Sequence, residues 1–346
     1  MGLRLWEHDY SEQDLEARLG DRRQLADIQL SVLADGPAAG MRIARISTAG
    51  GFDVEVFLDR AMDLGQARYR GIPLTWRGPG GPFHAHRGEL AERGWVRTFN
   101  GGLMSLCGLD NIGPPSRDVV LGSEVGQHGR ITCAQAEDVG VHRDPQSGSL
   151  RLTGTMLVGS LGGHRLRLER SIETSVAGTG VRLRDRIRNW GGARAPLMVL
   201  YHSNFGWPLV AEGATLISPA ETVEPRDEPA ARGIGEWSSF AAPQAGYAEQ
   251  VFFHRLKPAP AGGAWVAARI ENPGLGVGVE LAFDSHTLNR LTQWKLCGYG
   301  DYVLGVEPGN SPPIGQAEAE QADGLPFLDP GEEIEFAMEW RCFDLS

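Results

Sequence analysis

Residues 181–188 read V-R-L-R-D-R-I-R. Val181, Leu183 and Ile187 alternate with Arg182, Arg184, Arg186 and Arg188. A period of two puts the apolar side chains on one face of a strand and the guanidinium groups on the other. Four arginines in a row also suggest a nucleic-acid stripe. Acidic residues surround them and no aromatic platform interleaves them, so the stretch reads as a strand with one solvated face. The same alternation recurs along the chain. Leu166, Leu168 and Ile172 alternate with Arg165, Arg167 and Glu169. Val54, Val56 and Leu58 alternate with Asp53, Glu55 and Asp59, and Ile334, Phe336, Met338 and Trp340 with Glu333, Glu335 and Glu339. Short half-buried strands separated by Gly and Pro turns predict an all-β fold, a large antiparallel β-sandwich.

One helix stands apart. Ser11 fits an N-cap, Glu12 and Asp14 its first turn, Leu15 and Leu19 one face, and Gly20 its stop. It is expected to pack outside a sheet. No change of composition divides the chain, so residues 1–346 are expected to form a single domain, with 1–35 as helix and lead-in. Residues 78–92 and 219–246 read as loops too long for turns, and long loops on a rigid β scaffold carry function. G-L-G-V-G-V at 274–279 resembles a dinucleotide loop, but it runs into strand-like V-E-L-A-F and reads as a hairpin or bulge.

The 346 residues carry a formal charge of −11, which excludes wholesale phosphate-backbone binding and suits a handler of neutral small molecules. No nucleic acid or membrane partner is expected, since no apolar run reaches the length of a span. The N-terminus has no apolar signal core. Cys107, Cys133, Cys297 and Cys342 are widely spaced and read as reduced thiols of a cytoplasmic protein.

The run V-L-Y-H-S-N-F-G-W-P-L, 199–209, sets His202 and Asn204 on one wall of an apolar strand before an aromatic bend. In D-Y-V-L-G-V-E-P-G-N, 301–310, Glu307 ends an apolar strand, a setting that raises a carboxyl pKa and suits base catalysis. L-T-Q-W-K-L, 291–296, offers Trp294 as a stacking surface, with Gln293 and Lys295 as hydrogen-bond donors for a polyhydroxylated ring. Arg60 and Asp63 sit in L-D-R-A-M-D-L, and His128 lies between glycines in G-Q-H-G-R-I. W-V-R-T-F-N-G-G-L at 95–103 and C-G-L-D-N-I-G at 107–113 contribute Asn100, Asp110 and Asn111.

The order of H-G-R, Y-H-S-N-F-G, Q-W-K and V-E-P-G resembles the aldose 1-epimerase (galactose mutarotase) superfamily. R-A-M-D and G-G-L-M-S-L-C-G-L make it similar to a divergent mutarotase-like branch. The resemblance spans about residues 40–340. It implies a mutarotase-like supersandwich, a small-molecule sugar substrate and no cofactor. It makes His202 the acid, Glu307 the base, and His128 and Arg60 sugar-binding residues. The expected pocket adds Asp63, Asn204, Gln293, Trp294 and Lys295, with His202 and Glu307 facing each other across a sugar-sized hollow. The chain departs from the classical pattern at Tyr201, Asn204, Gly206 and the E-P-G turn.

Two other readings stay open. F-H-A-H-R-G-E places His84, His86 and Glu89 near one another, as in metal-dependent sugar isomerases. A carbohydrate-binding protein without turnover is the third. The residues do not fix the oligomeric state; a homodimer is the working expectation.

Overall fold

The 181–188 alternation forms the expected strand, Gly180–Asn189, whose inward row is Val181, Leu183, Asp185, Ile187 and Asn189. In the computed structural model, which describes residues 2–259 and 263–345, this strand lies inside an eight-stranded antiparallel sheet. The sheet runs Glu137–Asp144, Ser149–Gly159, Arg165–Ser175, Gly180–Asn189, Glu333–Asp344, Val277–Asp284, Trp265–Asn272, Thr215–Ile217. The stretch at 274–279 closes a hairpin in it, as expected.

A second, six-stranded sheet packs on the inner face of the first. Its strands, in chain order, are β1 (Ser105–Gly108), β2 (Val199–Gly206), β3 (Ala220–Pro225), β4 (Gln250–Leu256), β5 (Arg290–Cys297) and β6 (Tyr302–Gly309). They lie side by side as β3-β4-β5-β6-β2-β1. The two sheets share one apolar core with Leu168, Leu183, Phe336, Met338, Leu304 and Val306. A five-stranded antiparallel sheet spanning Asp27 to Pro73 joins the same core.

Two polar residues interrupt the inward rows, and they meet. Arg170 directly opposes Asp185 across neighbouring strands. Both are fully buried and joined by bonds of 2.8 and 2.6 Å. A buried pair is tolerated only when its remaining hydrogen-bonding groups are satisfied. Tyr201 of β2 donates to Asp185 at 2.7 Å. The rest of the guanidinium donates to the carbonyls of Ala61 and Met62. Those two residues have φ of 50° and 56°, an uncommon region for side chains larger than glycine. Arg170 thus pins the strained R-A-M-D turn to the sandwich.

Three local expectations change. The helix Glu12–Arg18 has its capping box from Ser11 and Asp14, but the chain leaves in extended conformation at Leu19 rather than through a glycine cap at Gly20. Asp59 lies past its strand and is buried, accepting bonds from Arg42, so it is not on the solvated face. The 219–246 stretch is not all loop: it contains β3 and a helix, Glu228–Arg232, capped by Asp227. Leu15 and Leu19 do face the sheet, across a small apolar cavity shared with Leu150 and Val176. All four cysteines are free thiols. Among the described residues, no helix is long and apolar enough to cross a membrane.

Candidate active site

The antiparallel register of β2 and β6 pairs Leu200 with Gly309 and Ser203 with Val306, which sets His202 opposite Glu307 on one sheet face. His202 Nε2 lies 3.1 Å from Glu307 Oε1. The expected sugar-sized hollow between the two is absent; they touch. Adjacent strands lie about 4.8 Å apart, so cross-strand neighbours leave no room for a pyranose. Gly305 allows the contact: a Cβ there would come within 2.3 Å of Glu307 Oε1. The carboxylate lies back along its own strand over this bare position.

The pair is closed off, with His202 5% and Glu307 3% exposed. Burial pushes the Glu307 carboxyl up to about 8, helped by the Glu249 carboxylate and opposed by Arg226. Burial also lowers the His202 imidazole to about 4, against the nearby Asn204 side chain, which favours the charged ring. Near neutral pH both groups are therefore uncharged, and together they hold one proton. His202 Nδ1, Glu307 Oε1 and Asn204 Oδ1 are buried and have no hydrogen-bond partner among the described residues. The 3.1 Å approach is thus a close contact off the hydrogen-bond direction. Unsatisfied groups gathered at one place mark a strained or functional position.

Aromatic rings wall the pair. Ring centroids of Phe99, Trp294, Trp95 and His128 lie 5.1, 5.6, 6.0 and 6.0 Å from that of His202. Trp76 stands edge-on to Trp294 at 6.2 Å. The helix Trp95–Thr98 brings Trp95 and Phe99 into a stack at 4.3 Å, one helical turn apart. At the rim Trp294 donates to Glu249, which also binds Arg226. Sequence reasoning missed Trp76, Trp95, Phe99, Arg226, Glu249 and Gly305. The i,i+4 spacing in W-V-R-T-F was the available signal for the ring stack.

His128 joins the site: its ring lies 4.4 Å from Trp95, and burial plus His202 lowers its imidazole to about 3. Trp294 is also in place. Asn204 shares the face, but its amide N–H groups go to the carbonyls of His202 and Gly102. Gln293 and Lys295 are not in the site. They flank Trp294 on β5, so strand alternation turns both to the opposite face. There Gln293 Oε1 accepts from His254 Nε2, its amide N–H donates to the Trp237 carbonyl, and Lys295 donates to the Glu236 carbonyl. Arg60 and Asp63 meet at Thr132, and Asp63 accepts the Leu106 N–H. Burial raises the Asp63 carboxyl to about 6. Among the described residues, no contact links Arg60 or Asp63 to the His202–Glu307 pair. Asp110 is held by Arg130, and Asn111 by the carbonyls of Pro114 and Gly126, so both brace loops.

The loop histidines and Glu89 separate. His84 stacks on His86 and faces Asp59 at 3.8 Å, whereas Glu89 bonds Arg97. Among the described residues, no group of three or more His, Cys, Asp or Glu side chains could hold a metal ion.

The sequence profile described as "Domain of unknown function (DUF4432)" matches residues 38–342. The chain belongs to the DUF4432 family. No curated protein matches it. Solved structures share this DUF4432 chain's fold. A candidate aldose 1-epimerase from Klebsiella pneumoniae superposes with a TM-score of 0.86 at 24% identity, over 92% of this chain and 84% of that one. A candidate aldose 1-epimerase from Escherichia coli K12 gives 0.58 at 18% identity, over 88% and 100%. A galactose 1-epimerase from Lactobacillus acidophilus gives 0.60 at 13% identity, over 93% and 100%. The DUF4432 chain therefore has the mutarotase-like β-sandwich expected of it.

Proposed function

We propose that this protein interconverts the anomers of an aldose by opening and reclosing its ring. The observation that carries this reading is the buried contact between His202 and Glu307, two titratable groups 3.1 Å apart behind an aromatic wall. Mutarotation asks for one group that accepts the anomeric hydroxyl proton and one that gives a proton to the ring oxygen. Transfer of the Glu307 proton to His202 makes Glu307 the carboxylate. It takes the O1 proton while His202 protonates O5, the C1–O5 bond breaks, and C1 becomes an aldehyde. The C1–C2 bond rotates. Glu307 then returns its proton to O1, His202 takes back the O5 proton, and O5 attacks the other face of C1. The pair ends in its starting state, and no electrons leave the substrate. Burial holds the resting proton on Glu307, so its transfer to His202 precedes ring opening.

The rings of Phe99 and Trp294 lie 6.2 Å apart. A sugar held between them makes a carbon contact on each side and needs about 7–8 Å. Binding therefore opens the short helix Trp95–Thr98 by an ångström or two, and the tryptophan fluorescence changes with it.

The test is exchange NMR on freshly dissolved aldoses with the wild type, Glu307→Gln and His202→Asn. Acceleration by the wild type and loss in both variants are expected. Undiminished exchange in both variants would remove the assignment.

A further inference from the structure

The arginine run at 181–188 is only partly accounted for as a solvated sheet face. Its guanidinium groups stand on the side of the strand opposite Asp185, and so on the far side of the sandwich from His202. Arg182 bonds Glu339 at 2.7 Å and Arg186 bonds Glu169 at 2.6 Å. Arg188 has no hydrogen bond or ion pair among the described residues, although Glu333 stands directly opposite it. Glu333 turns instead to Arg186, at 4.0 Å. Arg184, between Ser171 and Ala337, is unpaired too, but it stands outside the cavity that Arg188 lines.

On its other side Arg188 directly opposes Arg167. Like charges facing each other across neighbouring strands repel. Arg167 meets Glu169 through Nε at 3.1 Å. One carboxylate, Glu169, thus serves two arginines, and the third guanidinium has none. All of these groups line one cavity of about 330 Å³. That is within the range of small-molecule clefts, about 300–1,000 Å³. Two apolar side chains complete the lining: Leu157, opposite Arg167 on the next strand, and Trp190, two positions beyond Arg188. Each is 48% exposed. The Arg165 guanidinium lies over the Trp190 ring, 5.4 Å from its centroid, and steadies the indole as a wall.

The charges decide the ligand class. Three arginines against two glutamates leave the lining with one net positive charge. A single negative charge balances it and relieves the Arg167–Arg188 repulsion. A dianion would bring its second charge against Glu169 and Glu333, and a neutral ligand would leave the repulsion in place. A carboxylate is the monoanion whose two coplanar oxygens match a guanidinium fork. Leu157 and Trp190 offer their carbon surface to the body that carries it.

We propose that this cavity on the outer face of the eight-stranded sheet is a second binding site, for a small organic monocarboxylate. The carboxylate lies between Arg188 and Arg167, and its apolar or ring-shaped body lies against Trp190 and Leu157. The site is separate from the His202–Glu307 pair and does not depend on the anomer-exchange reading.

Ligand-observed NMR titration tests it, with cyclohexanecarboxylate as the probe beside cyclohexanemethanol, acetate and inorganic phosphate. Cyclohexanecarboxylate is expected to bind with a dissociation constant of about 1 mM, ordinary for a ligand of this size. The alcohol, which lacks the charge, and acetate, which lacks the body, are expected to bind at least about fivefold more weakly. Arg188→Met and Trp190→Ala are each expected to weaken the probe about fivefold. Arg188→Met changes an exposed side chain, so its melting temperature is retained. Probe binding unaltered in Arg188→Met overturns the site, as does no binding of the probe at about 10 mM. Phosphate binding more tightly than the carboxylate overturns the single-charge assignment. Anomer exchange by Arg188→Met stays within about twofold of wild type, and a parallel loss of exchange would overturn the separation of the two sites.

Discussion

Gly305→Ala separates positioning from chemistry, because it changes neither titratable group. The alanine Cβ would stand 2.3 Å from Glu307 Oε1 and 3.0 Å from the Trp294 Cβ. Real Cβ contacts do not fall below 3.0 Å, so the carboxylate oxygen must retreat by about 0.7 Å. The Trp294 Cβ keeps the new methyl from shifting away, and the retreat of the carboxylate opens the 3.1 Å contact with His202. A misplacement near 1 Å in a catalytic constellation costs about a hundredfold, so a loss of about 30- to 100-fold in kcat/KM follows, or about 2–3 kcal/mol in the barrier. The backbone tolerates alanine, since Gly305 is in extended β6 and not among the positive-φ positions. Removing a glycine also stiffens the unfolded chain by under about 1 kcal/mol. Exchange NMR gives the rate and thermal melting the stability. An unchanged rate would refute the claim that the contact carries the reaction. A collapse in melting temperature matching the loss of rate would refute the separation of positioning from folding.

Three further outcomes follow from the same geometry. The Glu307 carboxyl is raised from 4.5 to about 8, so the folded state holds its proton more tightly, and this contribution to stability falls as pH rises through that window. The His202 imidazole is lowered from 6.5 to about 4, and its contribution rises with pH over the lower part of the range. The two oppose each other below about 6.5, so wild type loses stability between about pH 6.5 and 8, and Glu307→Gln flattens that decline; parallel melting curves for the two proteins would contradict it. On β5, Trp294→Ala is expected to raise KM about tenfold through lost stacking, while Lys295→Met, on the opposite face, leaves exchange within twofold of wild type. Equal losses in the two would mean that the register is wrong. Asp185→Asn leaves the buried Arg170 charge uncompensated and is expected to cost about 3–5 kcal/mol in urea denaturation; a cost under about 1 kcal/mol would show the pair to be dispensable.

The legible parts of this protein are those with a local period. The alternations at 181–188 and 333–340 are complete in eight residues each, and both stretches form strands with the faces they predict. His202 and Glu307 were individually legible, as polar residues closing apolar strands. Their contact was not, because register between β2 and β6 is set by pairing over a hundred residues apart. Gln293 and Lys295 were misassigned although the same period of two applies to them: residues flanking Trp294 on a strand cannot share its face. Trp95 and Phe99 escaped because a single i,i+4 pair at a four-residue helix gives one spacing and no repeating period. The Arg170–Asp185 pair hid in plain alternation, as single polar residues in otherwise apolar rows.

That pair also gives a physical account of Tyr201, where the chain departs from the classical pattern. On β2, Tyr201 and His202 point to opposite faces of one strand. The imidazole turns to the aromatic site, and the phenol crosses the interior to Asp185 at 2.7 Å. Asp185 holds Arg170, and Arg170 holds the carbonyls of the R-A-M-D turn. Ser203 adds a second anchor by accepting the Trp340 indole N–H at 3.1 Å. The strand that carries His202 is therefore bolted from behind to the eight-stranded sheet on both sides of the imidazole, at Tyr201 and Ser203. A ring with an unsatisfied Nδ1 has few bonds of its own to hold it, and precision of about half an ångström must come from its supports. An asparagine at position 201 could not span the interior to Asp185, so the departure belongs to the scaffold behind the site.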